Sequence, residues 1–251
     1  MFLSSGIINK ESSASAIVEH DYRTADVFLK YGVEFCCAGK WPLADVCASK
    51  NLDVTMLLHD LENATRTIQL SNNTRFGEWS PGFLADYIVN VHHQYLKATL
   101  PSIVACLNLF LEGHRKKYPQ LQELQPMLKK MHDAFMVHMQ QEEEIFFPYI
   151  KQVFYAHKNR ESYARLLIRT LRKPLEEVMQ KEHESTGANL HRLRTITSNY
   201  TPPENACLAH KVTFSKLHEL DNDLVQHIHL ESNILFPKAI AMEQELLKEC
   251  N

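Results

Sequence analysis

One pattern is written twice in this chain of 251 residues, and it restricts the possible folds more than any other feature. His138 is followed four residues later by Glu142, and a Phe-Pro pair comes soon after. His227 and Glu231 repeat this spacing, again shortly before a Phe-Pro pair. Residues four apart lie on the same face of an α-helix, so each copy predicts an imidazole and a carboxylate that point the same way.

A second pair of histidines extends the repeat. His93 precedes His138 by 45 residues, and His183 precedes His227 by 44 residues. The chain therefore repeats a histidine followed by a His-x-x-x-Glu segment with a period of about 90 residues. Such an internal repeat indicates two equivalent halves of one structure.

The apolar residues around each copy predict that these polar side chains face a core. Phe135, His138, Glu142 and Phe146 follow one another at steps of three, four and four residues, and the second copy has the same steps from Leu224 to Leu235. A buried carboxylate beside a buried imidazole is costly unless the pair is satisfied or binds a metal. Glu143 and Glu144, by contrast, are expected to be solvated.

The ligand chemistry predicts a dinuclear metal site. Helical bundles build carboxylate-bridged sites from inward-facing residues of four helices. Imidazole and carboxylate without thiolate favour iron, with manganese and zinc as alternatives. The predicted ligands of two iron ions are His93, His138, Glu142, His183, His227 and Glu231, with the two glutamates as bridges. A purely structural bundle with buried ion pairs is the competing interpretation.

The chain divides into two helical parts. Residues 1–70 contain short segments with helical spacing, residues 71–79 are polar and form a predicted linker, and residues 80–251 contain four long helical patterns. Together they predict an all-α fold, an up-down four-helix bundle with a small helical N-terminal domain. The predicted bundle helices cover residues 80–113, 119–157, 161–198 with a break or start at Pro174, and 201 onward from a Thr-x-x-Glu capping box.

Composition excludes several function classes. A net charge of −3 and a pI near 6.5 give no bulk attraction to nucleic acid or to an anionic membrane, so neither is an expected partner. The N-terminus lacks the pattern of a secretory signal, and no apolar run of about 18 residues predicts a transmembrane helix. We therefore expect a cytoplasmic protein whose six cysteines are reduced thiols.

These motifs resemble those of hemerythrin-like di-iron proteins. The segment "YGVEFCCAGKWPLADVCASKNLD" also resembles the N-terminal domain of the family that repairs iron centres, in which a Cys-Cys pair is usually followed by two glycines. Here Ala38 replaces the first of them. The two resemblances together extend over nearly the whole chain.

The resemblance implies a di-iron protein that repairs or protects iron–sulfur centres damaged by nitrosative or oxidative stress. Iron donation and the binding and reduction of NO are the activities that it suggests. Damaged or apo iron–sulfur proteins, NO and O2 would be the partners. An O2-carrying or redox-sensing protein is the alternative, and the sequence leaves open whether the protein has an enzymatic activity.

The remaining histidines and the thiols have competing interpretations. Cys36 and Cys37 are either accessory thiols that serve the iron site or small buried side chains. Thiols that dock on the metals of a second chain would imply a homodimer. His114 falls where the family tends to have a histidine, but it is about 30 Å along a straight helix from His93, so a place outside the site is favoured. His92 should point away from the site, and Glu182 either lines the approach to the metals or is solvated.

Overall fold

The computed structural model describes residues 6–36, 39–65, 74–171 and 175–248, without the side chains of residues 170–171 and 175–180. Cys37, Ala38 and Pro174 lie outside the described residues, as does part of the predicted linker. The described chain consists of helices and turns, which confirms the predicted all-α fold.

The described residues of the N-terminal part form four short helices. They are α1 (Ala14–His20), α2 (Thr24–Lys30), α3 (Leu43–Lys50) and α4 (Val54–Thr65). α1 begins at the N-cap Ser13, whose side chain accepts a hydrogen bond from the Ala16 amide. The turn after α2 places Gly32 at a φ of 61°, a backbone conformation that favours glycine.

Within the described residues, four long bundle helices follow, and three of them contain a π-helical turn. The first consists of α5 (Pro81–Tyr87), a π turn (Ile88–His93) and α6 (Gln94–His114), and the second of α7 (Leu124–Gln141), a π turn (Glu142–Phe146) and α8 (Phe147–Asn159). The third consists of α9 (Ala164–Leu171) and α10 (Leu175–Ile196), and the fourth of α11 (Leu208–Leu230), a π turn (Glu231–Leu235) and α12 (Phe236–Lys248). Successive helices run in opposite directions, because α5, α8, α9 and α12 meet at one end of the bundle and α6, α7, α10 and α11 at the other, so the bundle is up-down as predicted.

The predicted start of the first bundle helix is confirmed, and that of the fourth is wrong. Ser80 caps the first helix by accepting a hydrogen bond from the Phe83 amide. The fourth helix begins at Leu208 rather than at the Thr201 capping box. Residues 198–200 all have positive φ, and the Tyr200 hydroxyl donates to Asp221 Oδ2 at 2.7 Å, so the chain turns here and reaches the helix only later.

Two separate apolar clusters fill the bundle, one toward each end. The first packs side chains of α6, α7, α10 and α11, including Leu107, Leu128 and Leu217. The second packs side chains of α5, α8, α9 and α12, including Leu84 and Ile150. The π turns contribute His93, Glu142 and Glu231, which are buried and belong to neither cluster, so a layer of polar side chains separates the two halves of the core.

The N-terminal helices share a core with the bundle. Cys106 and Val212, on α6 and α11, belong to the apolar cluster of the N-terminal part. The side chain of Lys216 is 3% exposed, and its Nζ donates to Asp26 Oδ2 of α2 at 2.6 Å. Asp26 also accepts from the Ser102 hydroxyl. These contacts fix α1 and α2 against the bundle.

One helix of the described chain, Pro81–His114, is long and apolar enough to cross a membrane by length and composition alone, with a mean hydropathy of 1.2. In the structure it is the first bundle helix, and it carries His93 into the layer between the two apolar clusters.

Candidate metal centre

The six predicted ligands meet in the layer between the two apolar clusters. His93, Glu142, His227 and Glu231 form one group of possible ligands, and His138, Glu142, His183 and Glu231 form another. Within each group, one ligand atom of every residue lies within 4.8 Å of the others. Glu142 and Glu231 belong to both groups, which is the arrangement required of carboxylates that bridge two metal ions.

The distances show which imidazole faces which carboxylate. Nε2 of His93 and of His138 lie 3.4 Å and 3.3 Å from Glu142 Oε2. Nε2 of His183 and of His227 lie 3.2 Å and 2.8 Å from the Oε2 and Oε1 atoms of Glu231. Each carboxylate therefore contacts two imidazoles. One belongs to the histidine four residues before it on the same helix, and the other comes from a neighbouring helix.

The buried atoms of this layer fit a cation. Both carboxylates are fully buried. Among the buried atoms that have no hydrogen-bond partner within the described residues, five belong to the facing ends of these side chains: His93 Nε2, His183 Nε2, both oxygens of Glu142 and Glu231 Oε2. Leaving such atoms unsatisfied costs about 1–3 kcal/mol each. A cation bound between them would satisfy them together.

Burial sets the protonation of the layer. Burial, reinforced by the neighbouring His227, lowers the pKa of His93 to about 4, so its Nε2 lone pair is available at neutral pH. Burial and the nearby Glu231 raise the pKa of Glu142 well above its usual range. Burial alone would also raise the pKa of Glu231, but His227 and His183 outweigh it and hold that pKa low. The pKa values of the two carboxyl groups are therefore shifted in opposite directions before a metal binds.

Three of the four histidines have a partner for the second ring nitrogen. His93 Nδ1 donates to Glu143 Oε1 at 2.8 Å, and His138 Nδ1 contacts Glu182 Oε2. His183 Nδ1 lies 2.7 Å from Ser232 Oγ. Such partners fix the tautomer and orientation of metal-binding imidazoles.

Several of these contacts were missed or misjudged in the sequence. Glu143 was expected to be solvated, but it is partly buried between His93 and Lys97. Glu144 is exposed, as expected. Glu143 differs from Glu144 because His93 and Lys97 of the first bundle helix contact its carboxylate. This is a tertiary contact that no local sequence pattern encodes. Glu182 directly precedes His183, and that adjacency was the one available signal.

His92 also differs from the prediction. It was expected to point away from the site, yet it is buried, and its ring stacks on that of His227. Consecutive residues of a regular helix point about 100° apart. The π turn Ile88–His93 widens the helix at this level, and both His92 and His93 are buried. π turns of this kind are frequent at functional sites.

The layer is reached from outside by a pocket of about 340 Å³ between α7 and α10. His138 and Phe135 of α7 and Glu182 and Thr186 of α10 are among the residues that line it. The pocket is large enough for diatomic molecules and for water.

We call the layer formed by the six predicted ligands the metal layer; they are His93, His138, Glu142, His183, His227 and Glu231. Neither His114 nor Cys36 belongs to it. His114 ends α6 and places its Nδ1 3.0 Å from the Phe110 carbonyl. Phe35, the residue before Cys36, lines a surface pocket together with Leu109, which is sixteen residues beyond His93 and therefore about 24 Å along the helix. Cys36 therefore lies toward the end of α6 that is opposite the metal layer of its own chain.

Comparison with known proteins agrees with both parts of the chain. Residues 84–178 and 173–239 match the hemerythrin HHE cation-binding domain. Residues 10–65 match the ScdA N-terminal domain, which is described as a domain of unknown function. The iron–sulfur cluster repair protein YtfE of Escherichia coli O81 (strain ED1a) is 33% identical over 224 residues, which is 88% of this chain and 93% of that protein.

The chain belongs to the iron–sulfur cluster repair family of hemerythrin-like proteins. YtfE of Escherichia fergusonii is 32% identical over the same shares of both chains. The resemblance predicted from the His-x-x-x-Glu repeat and the Cys-Cys segment is thereby confirmed. The family match gives the metal layer its class, a hemerythrin-type cation site.

Proposed function

We propose that this protein holds two iron ions between Glu142 and Glu231 and repairs or protects iron–sulfur centres damaged by nitrosative or oxidative stress. The observation that supports it most directly is that both glutamates belong to both ligand groups. The iron–sulfur cluster repair proteins that this chain resembles over most of its length support the biological role.

The residues of this chain would divide the work in a simple way. His93 and His227 would hold one iron, His138 and His183 the other, and the two glutamates would keep the ions together. Bound iron would supply coordination positions for NO or O2 and an ion that can be transferred to a damaged centre. Glu143, Glu182 and Ser232 orient three of the imidazoles, and the two apolar clusters exclude bulk water from both sides.

The raised pKa of Glu142 would make metal binding depend on pH. Burial and Glu231 favour the protonated carboxyl group, which binds cations less well than the carboxylate, so the affinity for iron should increase as the pH rises. The pocket beside His138 and Glu182 is a route by which small molecules could reach the layer.

An O2-binding or redox-sensing role is the second candidate. The separation between Cys36 and the metal layer favours it, because the bundle has its ligands and an access pocket without the thiols. The accessory role predicted for Cys36 and Cys37 would then require a partner protein or a second chain as a homodimer.

We propose that the protein acts in the cytoplasm, with neither nucleic acid nor a membrane as a partner.

The first test is the metal content and visible spectrum of the purified protein before and after NO is added. About two irons per chain and a spectral change with NO are expected. Transfer of iron to an apo iron–sulfur protein then separates the two roles, with Cys36→Ser and Cys37→Ser variants beside the wild type. Reversible O2 binding without iron transfer would favour the second candidate. A metal-free protein that resists loading would contradict both.

A further inference from the structure

His227 differs from the other three histidines of the metal layer. His93, His138 and His183 each have a carboxylate or hydroxyl partner at Nδ1. Nδ1 of His227 is buried and has no hydrogen-bond partner among the described residues. An imidazole without such a partner is free to rotate or to change tautomer, so something else must orient it.

The ring of His92 lies beside the ring of His227. The centroids of the two rings lie 5.6 Å apart, and their planes are nearly parallel, at 11°. Tyr87 also contacts His92, in an edge-to-face arrangement with a centroid distance of 5.6 Å and an angle of 71°. His92 is thus held between aromatic neighbours, and its contact with His227 restricts rotation of that ring.

Asp223 fixes His92 in turn. His92 Nδ1 donates to Asp223 Oδ1 at 2.8 Å, and the His92 side chain is only 2% exposed. Asp223 lies four residues before His227 on α11, so the two side chains share one face of that helix. The hydrogen bond therefore joins the two helices beside the layer, one residue from His93 and one turn from His227.

That position matters because His93 and His227 belong to the same ligand group. Their ring centroids lie 5.1 Å apart. A small sliding of the first bundle helix along the fourth would separate the two imidazoles, while His138 and His183, on the other two helices, would keep their places. The His92–Asp223 contact opposes that motion.

We propose that His92, held by Asp223, is the positioning residue for His227 and sets the spacing between the two histidines of one metal position. His92 would orient His227 as Glu143, Glu182 and Ser232 orient the other three imidazoles. The inference rests on the proposed function insofar as the layer binds two irons. It assigns different support to the two metal positions, so they should differ in stability.

The test compares iron release from wild type, His92→Phe, His92→Gln and the matched control His229→Phe. His229 is exposed on the same helix, two residues beyond His227, and bonds only to Asn233 among the described residues. Each protein is loaded with two equivalents of ferrous iron without oxygen, and a ferrous chelator then removes it. His92→Phe keeps a stacking ring and loses the Asp223 contact, whereas His92→Gln keeps a donor and loses the ring.

In His92→Phe we expect one iron to leave at least about tenfold faster and the other at the wild-type rate. His92→Gln should fall between this variant and wild type, and His229→Phe should match wild type. Both irons leaving at wild-type rates in His92→Phe would overturn the proposal. So would faster loss of both irons together with a lower melting temperature of the metal-free protein, because that would indicate general loosening.

A measurement without metal keeps the two proposals separable. In the metal-free protein labelled with ¹⁵N-histidine, the ring signals of His227 should broaden or shift in His92→Phe and remain unchanged in His229→Phe. A wild-type protein that binds no iron would refute the proposed function, and the His227 signals would still decide this inference. Unchanged His227 signals in His92→Phe would overturn it.

Discussion

Two places in the bundle bury imidazole side chains, and they differ in what surrounds the ring. In the metal layer, four histidines face two carboxylates. At the far end of α6, His210 is 1% exposed and is enclosed by Phe110, Tyr118 and Phe214, with ring centroids 4.3–5.0 Å away. Neither ring nitrogen of His210 has a hydrogen-bond partner among the described residues.

The comparison shows that a buried histidine alone does not indicate a metal site. His210 has unsatisfied nitrogens, as the metal layer does, but no second ligand converges on it to form a group within the described chain. What distinguishes the metal layer is that nitrogen and oxygen atoms from four helices point into one space. Replacing a residue of the metal layer should therefore weaken metal binding, whereas replacing His210 should leave it unchanged.

The largest expected effect is the loss of metal in Glu142→Gln. Removing one bridging carboxylate should weaken iron binding by at least about a thousandfold, or about 4 kcal/mol. Glutamine keeps the shape of this side chain and removes a buried carboxyl group whose pKa burial raises, so the metal-free free energy of unfolding should fall by no more than about 0.5 kcal/mol. Iron titration and urea unfolding measure the two quantities. Tight binding of two irons by this variant would contradict the bridging role.

At His210 the expected effect is on stability in acid. Burial, followed by the charges of His114 and Lys117, lowers the pKa of His210 to about 4, below the value of about 6.5 in the unfolded chain. The unfolded state therefore binds more protons between these values, and stability is lost as the pH falls from about 6.5 to about 4.

His210→Phe should remove that part of the acid sensitivity, up to about 3 kcal/mol at pH 4, and should leave iron binding unchanged. Urea unfolding of the metal-free proteins at pH 7 and pH 4 measures the difference. The two proteins must be compared at each pH, because the metal layer titrates in both. An identical pH dependence would show that His210 finds a polar partner, and a loss of iron would mean that the two regions are coupled.

A smaller effect is expected when an orienting partner is removed. Glu143→Gln should weaken iron binding by about 10- to 100-fold, because the partner of His93 Nδ1 loses its charge while keeping its shape. Competition with a ferrous chelator gives the affinity. Wild-type affinity in this variant would mean that the Glu143 contact does not orient His93.

The smallest effect should come from Glu144→Gln, which is the matched control. Glu144 is exposed, and its contact among the described residues is with Gln140. We expect the free energy of unfolding to change by less than about 0.5 kcal/mol and the iron affinity to stay the same. An effect as large as that of Glu143→Gln would show that the layer responds to net charge and not to the specific contact with His93.

The sequence predicted the part of the site that is periodic. Steps of three and four residues placed His138, Glu142, His227 and Glu231 on the buried stripe, and the structure buries all four. The period of about 90 residues added His93 and His183. Helical periodicity reports which face is buried, so residues that obey it can be found without a structure.

The sequence could not predict features that depend on neighbouring helices. The π turns, and with them the inward position of His92, change the phase of a helix without any distinctive residue to mark it. The Thr201 capping box has the right residues for a helix start, but the turn at Ser198–Tyr200 and the bond from Tyr200 to Asp221 override it. Local preference is weak against such tertiary contacts.

The contact between Lys216 and Asp26 has a consequence for how this protein can be divided. A bundle separated from the first 65 residues would leave the Lys216 ammonium without its carboxylate and would open Cys106 and Val212 to water. The two family matches therefore divide the sequence at a place where the folded structure is continuous. A recombined chain would keep its metal layer and still need a new cover for one side of α6 and α11.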